Sequence, residues 1–240
     1  MHPVLVYHTI RESPEPLEGD IDIPREKFAQ QLDWLARRGR VGTLERTLLD
    51  TTKRVTAITF DDGFRDNLTV ALPLLEKFNL PMTLFVTAGF VGREDYLSSE
   101  ELREIAKHPL VTIGAHGLWH RHFTRLSAAD SRAELVASRC LLETITGQRV
   151  DLMAWPYGEC NAELEALSKE AGYRAAWSVW KGSNGRHSRW RVPLGRRDNM
   201  LRFIAKASGV YGITKAKWHR LKEGIQVTEG AAIALPQETN

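Results

Sequence analysis

The chain has 240 residues, of which 42% are hydrophobic and 26% charged, enough for one large α/β domain or at most two small ones. Its two cysteines exclude a disulfide framework and a four-cysteine zinc site. The net charge of +3 is too small to indicate a partner. No segment approaches the ~20 apolar residues that a membrane-spanning helix needs.

Strands and helices alternate along the sequence. The predicted strands cover residues 3–7, 55–60, 81–88, 110–115, 152–155, 175–179 and 192–194. The predicted helices cover residues 25–38, 44–49, 66–78, 127–147 and 161–171, with a short helix that begins at Ser98 or Ser99. This alternation implies parallel pairing, and it suggests a closed barrel as readily as an open sheet.

Two adjacent carboxylates, Asp61 and Asp62, follow an apolar run that ends at Phe60. A buried strand should not end on two like charges unless something offsets their repulsion and desolvation, and a divalent cation is the usual remedy. If one carboxylate binds the cation, the other is free to act as a base. The alternative is an ordinary turn aspartate before Gly63.

His116 and His120 supply further ligands in His-x-x-x-His spacing at the end of another apolar run. With Asp62 they make a three-ligand set that leaves a position open, as catalytic zinc sites do. Co²⁺, Ni²⁺ and Mn²⁺ tolerate similar ligands, so the spacing favours Zn²⁺ without fixing it. The alternative is a pair of surface histidines.

The special residues all stand where a predicted strand stops, including His8 and the run 156–158. In a parallel barrel the carboxyl ends of the strands share one rim, and that rim holds the chemistry of such folds. We therefore expect these residues to converge on one site.

Three short motifs carry a family resemblance: Thr-Phe-Asp-Asp-Gly at 59–63, His-Gly-Leu-Trp-His at 116–120 and Trp-Pro-Tyr-Gly at 155–158. In this order and spacing they resemble the first three motifs of the polysaccharide deacetylases. These are the family-4 carbohydrate esterases, which share the nodulation-protein homology domain. The resemblance covers about residues 3–200.

The resemblance implies a distorted (β/α) barrel with about seven parallel strands. We assign residues 1–224 to a deacetylase-like catalytic domain; its basic part at 174–222 and a tail of uncertain order at 225–240 are predicted from the sequence composition. The resemblance further implies metal-dependent removal of N-acetyl groups from N-acetylhexosamine units of a polysaccharide, oligosaccharide or lipid-linked glycan. The setting would be the biosynthesis of bacterial surface polysaccharide.

Site roles follow from the same resemblance. Asp61 resembles the base, and Asp62, His116 and His120 resemble the metal ligands. The backbone N–H of Tyr157 resembles the oxyanion donor.

Trp155 and Pro156 would help to wall the sugar site, although a proline turn beside a core tryptophan is the alternative reading.

Two departures from the family pattern concern the base and the acid. Ala154 stands where many members have the arginine that orients the base, and the candidates to replace it are Arg65, Arg196 and Arg197. No Leu-x-His motif lies near the C-terminus, where many members place the acid. The run that ends at His8 fits that role from the opposite end, so His8 is the candidate acid, with a structural histidine as the alternative.

The region 174–222 holds thirteen Lys or Arg residues and one acid, Asp198. It indicates attraction to an anionic membrane surface or acidic glycan, or alternatively a solvated face. No reading motif for nucleic acid accompanies the charge. We expect a cytoplasmic protein, with peripheral binding at the inner face of the membrane as an extension, because no signal-peptide pattern is seen.

Two other functions remain open at this stage. The same site could cleave ester-linked acetate or a small amide. The chain could also be a non-catalytic protein that binds a glycan or a membrane surface.

Overall fold

The computed structural model describes residues 2–12, 20–49, 54–209 and 211. The strands are β1 (Val4–Tyr7), β2 (Thr9–Arg11), β3 (Asp22–Pro24), β4 (Ala57–Phe60), β5 (Met82–Val86), β6 (Val111–Ala115), β7 (Leu152–Ala154), β8 (Ala175–Ser178), β9 (Arg189–Trp190) and β10 (Val192–Pro193). The α-helices are α1 (Arg25–Arg38), α2 (Leu72–Phe78), α3 (Ser99–Ile105), α4 (Ala128–Thr146), α5 (Ala162–Glu170) and α6 (Met200–Ala207). The predicted tail 225–240 and basic residues 212–222 lie outside the described ranges.

Eight strands form one parallel sheet in the order β10-β1-β4-β5-β6-β7-β8-β9. Only Arg191 separates β9 from β10, so one run of chain pairs first with β8 and then with β1. This run closes the sheet into a barrel. Counted as one segment, it makes the seventh strand, and the predicted distorted (β/α) barrel of about seven parallel strands is confirmed.

Side chains alternate between the interior of the barrel and its helix-covered outer face. On the outer face Tyr7 packs edge-on against Phe28 of α1, with 5.1 Å between ring centroids. A smaller buried cluster includes Phe85 and Trp177, whose ring centroids lie 6.0 Å apart. Gly114 leaves space for the Phe85 ring, since a β-carbon there would lie 2.5 Å from it.

Helix ends follow the sequence signals in most places. Ser98 and Glu101 form the predicted capping box at the start of α3, and Ser127 caps α4. Asp66 does not cap the helix predicted to follow it, because its carboxylate bonds Thr9 and Asn67 instead. The chain passes from there through a π-helical turn into α2.

Three short elements, β2, β3 and α6, were not predicted from the sequence. The parallel pair β2 and β3 has three residues in each strand, and α6 lies within the basic run. Neither pattern is long enough to show a clear period. Among the described helices, none has the length and apolarity to cross a bilayer.

Part of the basic region is neutralised within the barrel. Four of its cations pair with carboxylates: Arg174 with Asp151, Arg191 with Asp61, Arg196 with Asp22, and Lys206 with Asp198. The sequence count therefore overstates the free charge of this region, because most of these acids lie far away in the chain.

Candidate active site

The predicted site residues follow the ends of neighbouring strands. His8 follows β1, Asp61 follows β4 and His116 follows β6. The N–H of Asp61 donates to the carbonyl of Tyr7 at 2.9 Å, and the N–H of His116 donates to that of Val86 at 2.8 Å. The hydrogen bonding of the sheet thus continues into the site and fixes its backbone at the carboxyl-end rim.

Asp62, His116 and His120 come together as a possible metal site. The Asp62 Oδ1 atom lies 3.6 Å from His116 Nε2 and 3.3 Å from His120 Nε2, and all three ligand atoms lie within 4.8 Å of one another. Ligand atoms around a tetrahedral zinc ion, with bonds of about 2.0–2.2 Å, lie about 3.4 Å apart. The spacing therefore suits a small divalent cation.

Two further observations fit a cation there. Asp62 Oδ1 is buried and has no hydrogen-bond partner among the described residues. His116 Nδ1 lies 2.8 Å from the carbonyl oxygen of Ala154, which places the ring hydrogen on Nδ1 and leaves a lone pair on Nε2. A carboxylate oxygen and an imidazole lone pair that face each other repel unless a cation or a proton lies between them.

The residue that holds Asp61 is Arg191. Its Nη1 and Nη2 atoms donate to the two carboxylate oxygens at 2.7 and 2.8 Å, and both side chains are buried. The expectation that Arg65, Arg196 or Arg197 replaces the missing arginine is wrong. Arg65 pairs with Glu101 at the surface, Arg196 pairs with Asp22, and the backbone N–H of Arg197 bonds Asp20.

Sequence reasoning missed Arg191 because it is one of many arginines in a basic run. The one sequence signal that could have identified Arg191 is its position directly before the predicted strand 192–194. In the structure it lies between β9 and β10, where the chain closes the barrel. A fully buried guanidinium requires a buried anion, and Asp61 is that anion.

Charges in the site follow from burial and neighbours. Burial alone would raise the pKa of Asp61, but the Arg191 guanidinium outweighs it and holds that pKa well below its usual range. Burial and the charge of Asp61 raise the pKa of Asp62 to about 7. Burial lowers the pKa of His116 to about 3 and also lowers that of His120. Both imidazoles are therefore neutral near pH 7, which is the form that binds a cation.

Glu134 of α4 anchors the loop between the two candidate histidine ligands. Its side chain is 5% exposed, and Oε2 accepts hydrogen bonds from the backbone N–H groups of Leu118 and Trp119 at 2.9 and 3.0 Å. Gly89 allows the loop to approach closely, since a β-carbon there would lie 2.5 Å from the Trp119 ring. The sequence gives no hint of this role, because only the fold brings α4 beneath the loop.

Three site residues adopt the left-handed backbone conformation that non-glycine residues rarely use. The φ angles are 74° for Asp62, 52° for His120 and 58° for Tyr157. Such conformations cost free energy and persist where the surrounding structure enforces them, as at functional sites. Tyr157 is 53% exposed, and its ring packs against His120 and stacks on His122.

Trp155 and Pro156 lie deeper than predicted. Trp155 has no exposed surface, and its indole N–H donates to the carbonyl of His187 at 2.9 Å. It packs edge-on against Phe123 beneath the site, and Pro156 is also buried. This placement corrects the expectation that Trp155 walls the sugar site: Tyr157 is the exposed member of the motif.

His8 lies close enough to Asp61 and His120 for its charge to influence their pKa values. Burial lowers the pKa of His8, while Asp61 acts in the opposite direction. Its Nδ1 atom has no hydrogen-bond partner among the described residues. Its role as the acid stays a prediction.

The fold and the site together define a (β/α)-barrel protein with a candidate metal centre at the carboxyl-end rim. Residues 49–176, more than half of the chain, match the family model described as polysaccharide deacetylase. The chain belongs to the polysaccharide deacetylase family.

Individual relatives are similar at moderate identity. YxkH of Bacillus subtilis, whose name describes it as a polysaccharide deacetylase, is 26% identical over 191 residues, which are 77% of this chain and 66% of that protein. A poly-beta-1,6-N-acetyl-D-glucosamine N-deacetylase of Staphylococcus aureus is 27% identical over 176 residues, covering 65% of this chain and 61% of that protein. The chain thus spans slightly less than two thirds of the length of these relatives.

Among solved structures, the Streptococcus pyogenes deacetylase PplD, in complex with acetate, superimposes with a TM-score of 0.77. It is 22% identical, and the alignment covers 86% of this chain and 97% of that one. At this identity the likeness shows a shared fold.

Proposed function

We propose that the chain is a metal-dependent hydrolase that removes N-acetyl groups from N-acetylhexosamine units of a glycan. The observation that carries the proposal is the unpaired Asp62 Oδ1 atom facing His116 and His120, beside an Asp61 fixed by a buried arginine. Family membership supports the reaction type, and the name of the Staphylococcus aureus relative supports an N-acetylglucosamine polymer as substrate.

Asp62, His116 and His120 would hold the cation, and their nitrogen and oxygen donors favour Zn²⁺. When bound, the cation supplies Lewis acidity toward a water molecule and toward the acetamide carbonyl. The chain's own part is to keep the two imidazoles neutral by burial and to hold the His116 ring with its Nε2 lone pair free, which the bond from His116 Nδ1 to the carbonyl of Ala154 assists.

Asp61 borders this set, with Oδ2 3.8 Å from His116 Nε2. The Arg191 contact keeps Asp61 ionised, so it is always in the form that accepts a proton from the attacking water. The same contact makes Asp61 a weak base, so it releases the proton readily as the amide breaks. Arg191 also fixes the carboxylate plane through two parallel hydrogen bonds.

His8 is the proposed donor to the leaving amine, and the N–H of Tyr157 is the proposed donor to the oxyanion. Burial lowers the pKa of His8, so its ring is mostly neutral near pH 7. As donor, His8 takes up the proton that Asp61 has accepted from water and passes it to the nitrogen of the leaving amine as the C–N bond breaks. Acetate and a free sugar amine are the products.

The test combines metal analysis with acetate release from N-acetylated and O-acetylated oligosaccharides. Asp62→Ala and His116→Ala are expected to lose both bound metal and activity. Asp61→Asn is expected to keep the metal and lose about 10²–10⁴-fold in turnover. His108→Ala is the matched control, since His108 pairs with Glu76 away from the site.

Full activity of Asp61→Asn would refute the base assignment. Release of acetate from O-acetylated sugars alone would replace the proposed amide substrate with an ester. Loss of metal and activity in His108→Ala to the same degree would show that these substitutions act through folding.

A further inference from the structure

A cavity lies at the opposite end of the barrel from the candidate active site. It has a volume of about 730 Å³ and includes Arg54 and Val55, which lead into β4, whereas Asp61 and Asp62 follow the other end of that strand. Four strand residues separate the two ends, about 13 Å at ~3.3 Å per residue. The two sites therefore do not overlap.

Arginine side chains dominate this cavity. Four of its seven lining residues are arginines, Arg38, Arg40, Arg46 and Arg54, and we call it the arginine cavity. All four are exposed, and within the described residues no acid lines the cavity and no carboxylate pairs with any of them. Two described acids close in sequence pair with other arginines, Asp33 with Arg37 and Glu45 with Arg174, and Asp50 lies outside the described residues.

Only one of these four arginines, Arg38, lies at the end of α1, where the helix itself favours a positive charge. Arg38 lies in the last turn, where the helix dipole favours positive charge, and its guanidinium lies 4.4 Å from the Trp34 ring centroid. Arg40, Arg46 and Arg54 lie outside this helix. Their convergence around one cavity has no counter-charge in the described residues.

The backbone that carries these side chains is well fixed. The N–H of Thr56 donates to the carbonyl of Arg40 at 2.7 Å, and the N–H of Gly42 donates to that of Thr56 at 3.1 Å. The aliphatic part of Arg46 lies against Gly42, where a β-carbon would stand 3.3 Å from Arg46 Cδ. Hydrogen bonds to Thr56 therefore hold the backbone at Arg40 and Gly42 in place at the edge of this cavity.

We propose that the arginine cavity binds a phosphate-bearing anion. Guanidinium groups bind phosphate oxygens in pairs of hydrogen bonds, and four of them match the charge of a diphosphate. The phosphate can belong to a soluble phosphorylated molecule or to a phospholipid headgroup. This site is independent of the proposed deacetylation and lies outside the basic region 174–222.

Calorimetric titration of the metal-loaded full chain with inorganic pyrophosphate tests the site. The double variant Arg40→Gln/Arg54→Gln is expected to bind pyrophosphate at least about tenfold more weakly. The matched control is Arg37→Gln/Arg132→Gln, which removes the same charge from arginines already paired with Asp33 and Glu170 and should bind normally. Any pyrophosphate bound at the metal centre contributes equally to all three proteins.

Sedimentation with phosphatidylglycerol–phosphatidylcholine vesicles distinguishes a phospholipid headgroup from a soluble phosphorylated molecule as the ligand. Binding to vesicles that fails only in Arg40→Gln/Arg54→Gln supports a lipid headgroup, and pyrophosphate binding without vesicle binding supports a soluble ligand. Equal binding by wild type and Arg40→Gln/Arg54→Gln, or an equal loss in both double variants, overturns the proposal. Acetate release should be unchanged in both, so failure here leaves the proposed function intact.

Discussion

The two ends of this barrel treat charge in opposite ways. At the carboxyl end Asp61 and Arg191 are buried and bound to each other through two hydrogen bonds. At the amino end the arginine cavity leaves four exposed guanidiniums without a carboxylate partner among the described residues. Water solvates the exposed charges, whereas a buried charge needs a partner within the protein. An unpaired charge at the surface is thus available to a ligand, while the paired charge in the interior fixes the position of the Asp61 carboxylate.

The largest expected effect is on the unfolding free energy, and it differs between the carboxyl end and the amino end of the barrel. Arg191→Met leaves the Asp61 carboxylate buried without its partner, which should cost about 3–5 kcal/mol of unfolding free energy. Arg40→Met should change it by no more than about 0.5 kcal/mol, because Arg40 is exposed. Urea unfolding measures both. Arg191→Lys keeps the charge but loses the bidentate geometry, so it should fall between them. Similar values for Arg191→Met and Arg40→Met would contradict the comparison.

The next effect concerns the loop that carries the histidine ligands. Glu134→Ala removes the acceptor of two backbone N–H groups and should weaken Zn²⁺ binding about 10–100-fold, measured by competition with a chromophoric chelator. Glu134→Gln keeps an acceptor oxygen and should restore most of the affinity.

The control for Glu134 is Glu143→Ala on the same helix. Glu143 also accepts a backbone hydrogen bond, from Val150, but it lies away from the metal ligands in the chain. An equal loss of Zn²⁺ affinity in the two alanine variants would show that Glu134 acts only through general stability.

A smaller effect depends on pH and concerns Asp66 at the carboxyl end, whose carboxylate is bonded by neutral side chains. Asp66 accepts hydrogen bonds from Thr9 and Asn67, and burial raises its pKa from 3.8 to about 6. The folded state therefore holds the Asp66 proton more tightly than the unfolded state does. This proton binding contributes fully to the unfolding free energy below about pH 4, and the contribution is lost as the pH rises through about 6. As the pH rises from about 4 to about 6, the melting temperature of the wild type should therefore decrease relative to that of Asp66→Asn. A difference that does not vary with pH would contradict the raised pKa.

The smallest effect is expected at the amino end. Arg40→Gln/Arg54→Gln relieves repulsion among like charges and should raise stability by less than about 1 kcal/mol at low salt. The gain should vanish at high salt, where exposed charges are screened. Thermal unfolding at two ionic strengths measures it. A gain that persists at high salt would point to a packing effect.

Much of the barrel was predictable because its strands are continuous apolar runs punctuated by glycine, proline and capping residues. Ser98 with Glu101, and Ser127 before α4, are local signals that the structure obeys. Asp66 shows the limit of such signals, since a contact with Thr9 from a distant part of the chain outweighs the cap.

The sequence by itself determined the alternation of strands and helices and the candidate ligand types, because hydrophobic periodicity and the Asp-Asp and His-x-x-x-His motifs are properties of neighbouring residues. Only the tertiary structure decided that Arg191 orients Asp61, that Glu134 supports the ligand loop, and that Trp155 belongs to the core. These roles join residues that the chain separates widely. They exist because closing the barrel buries charges that must then satisfy one another.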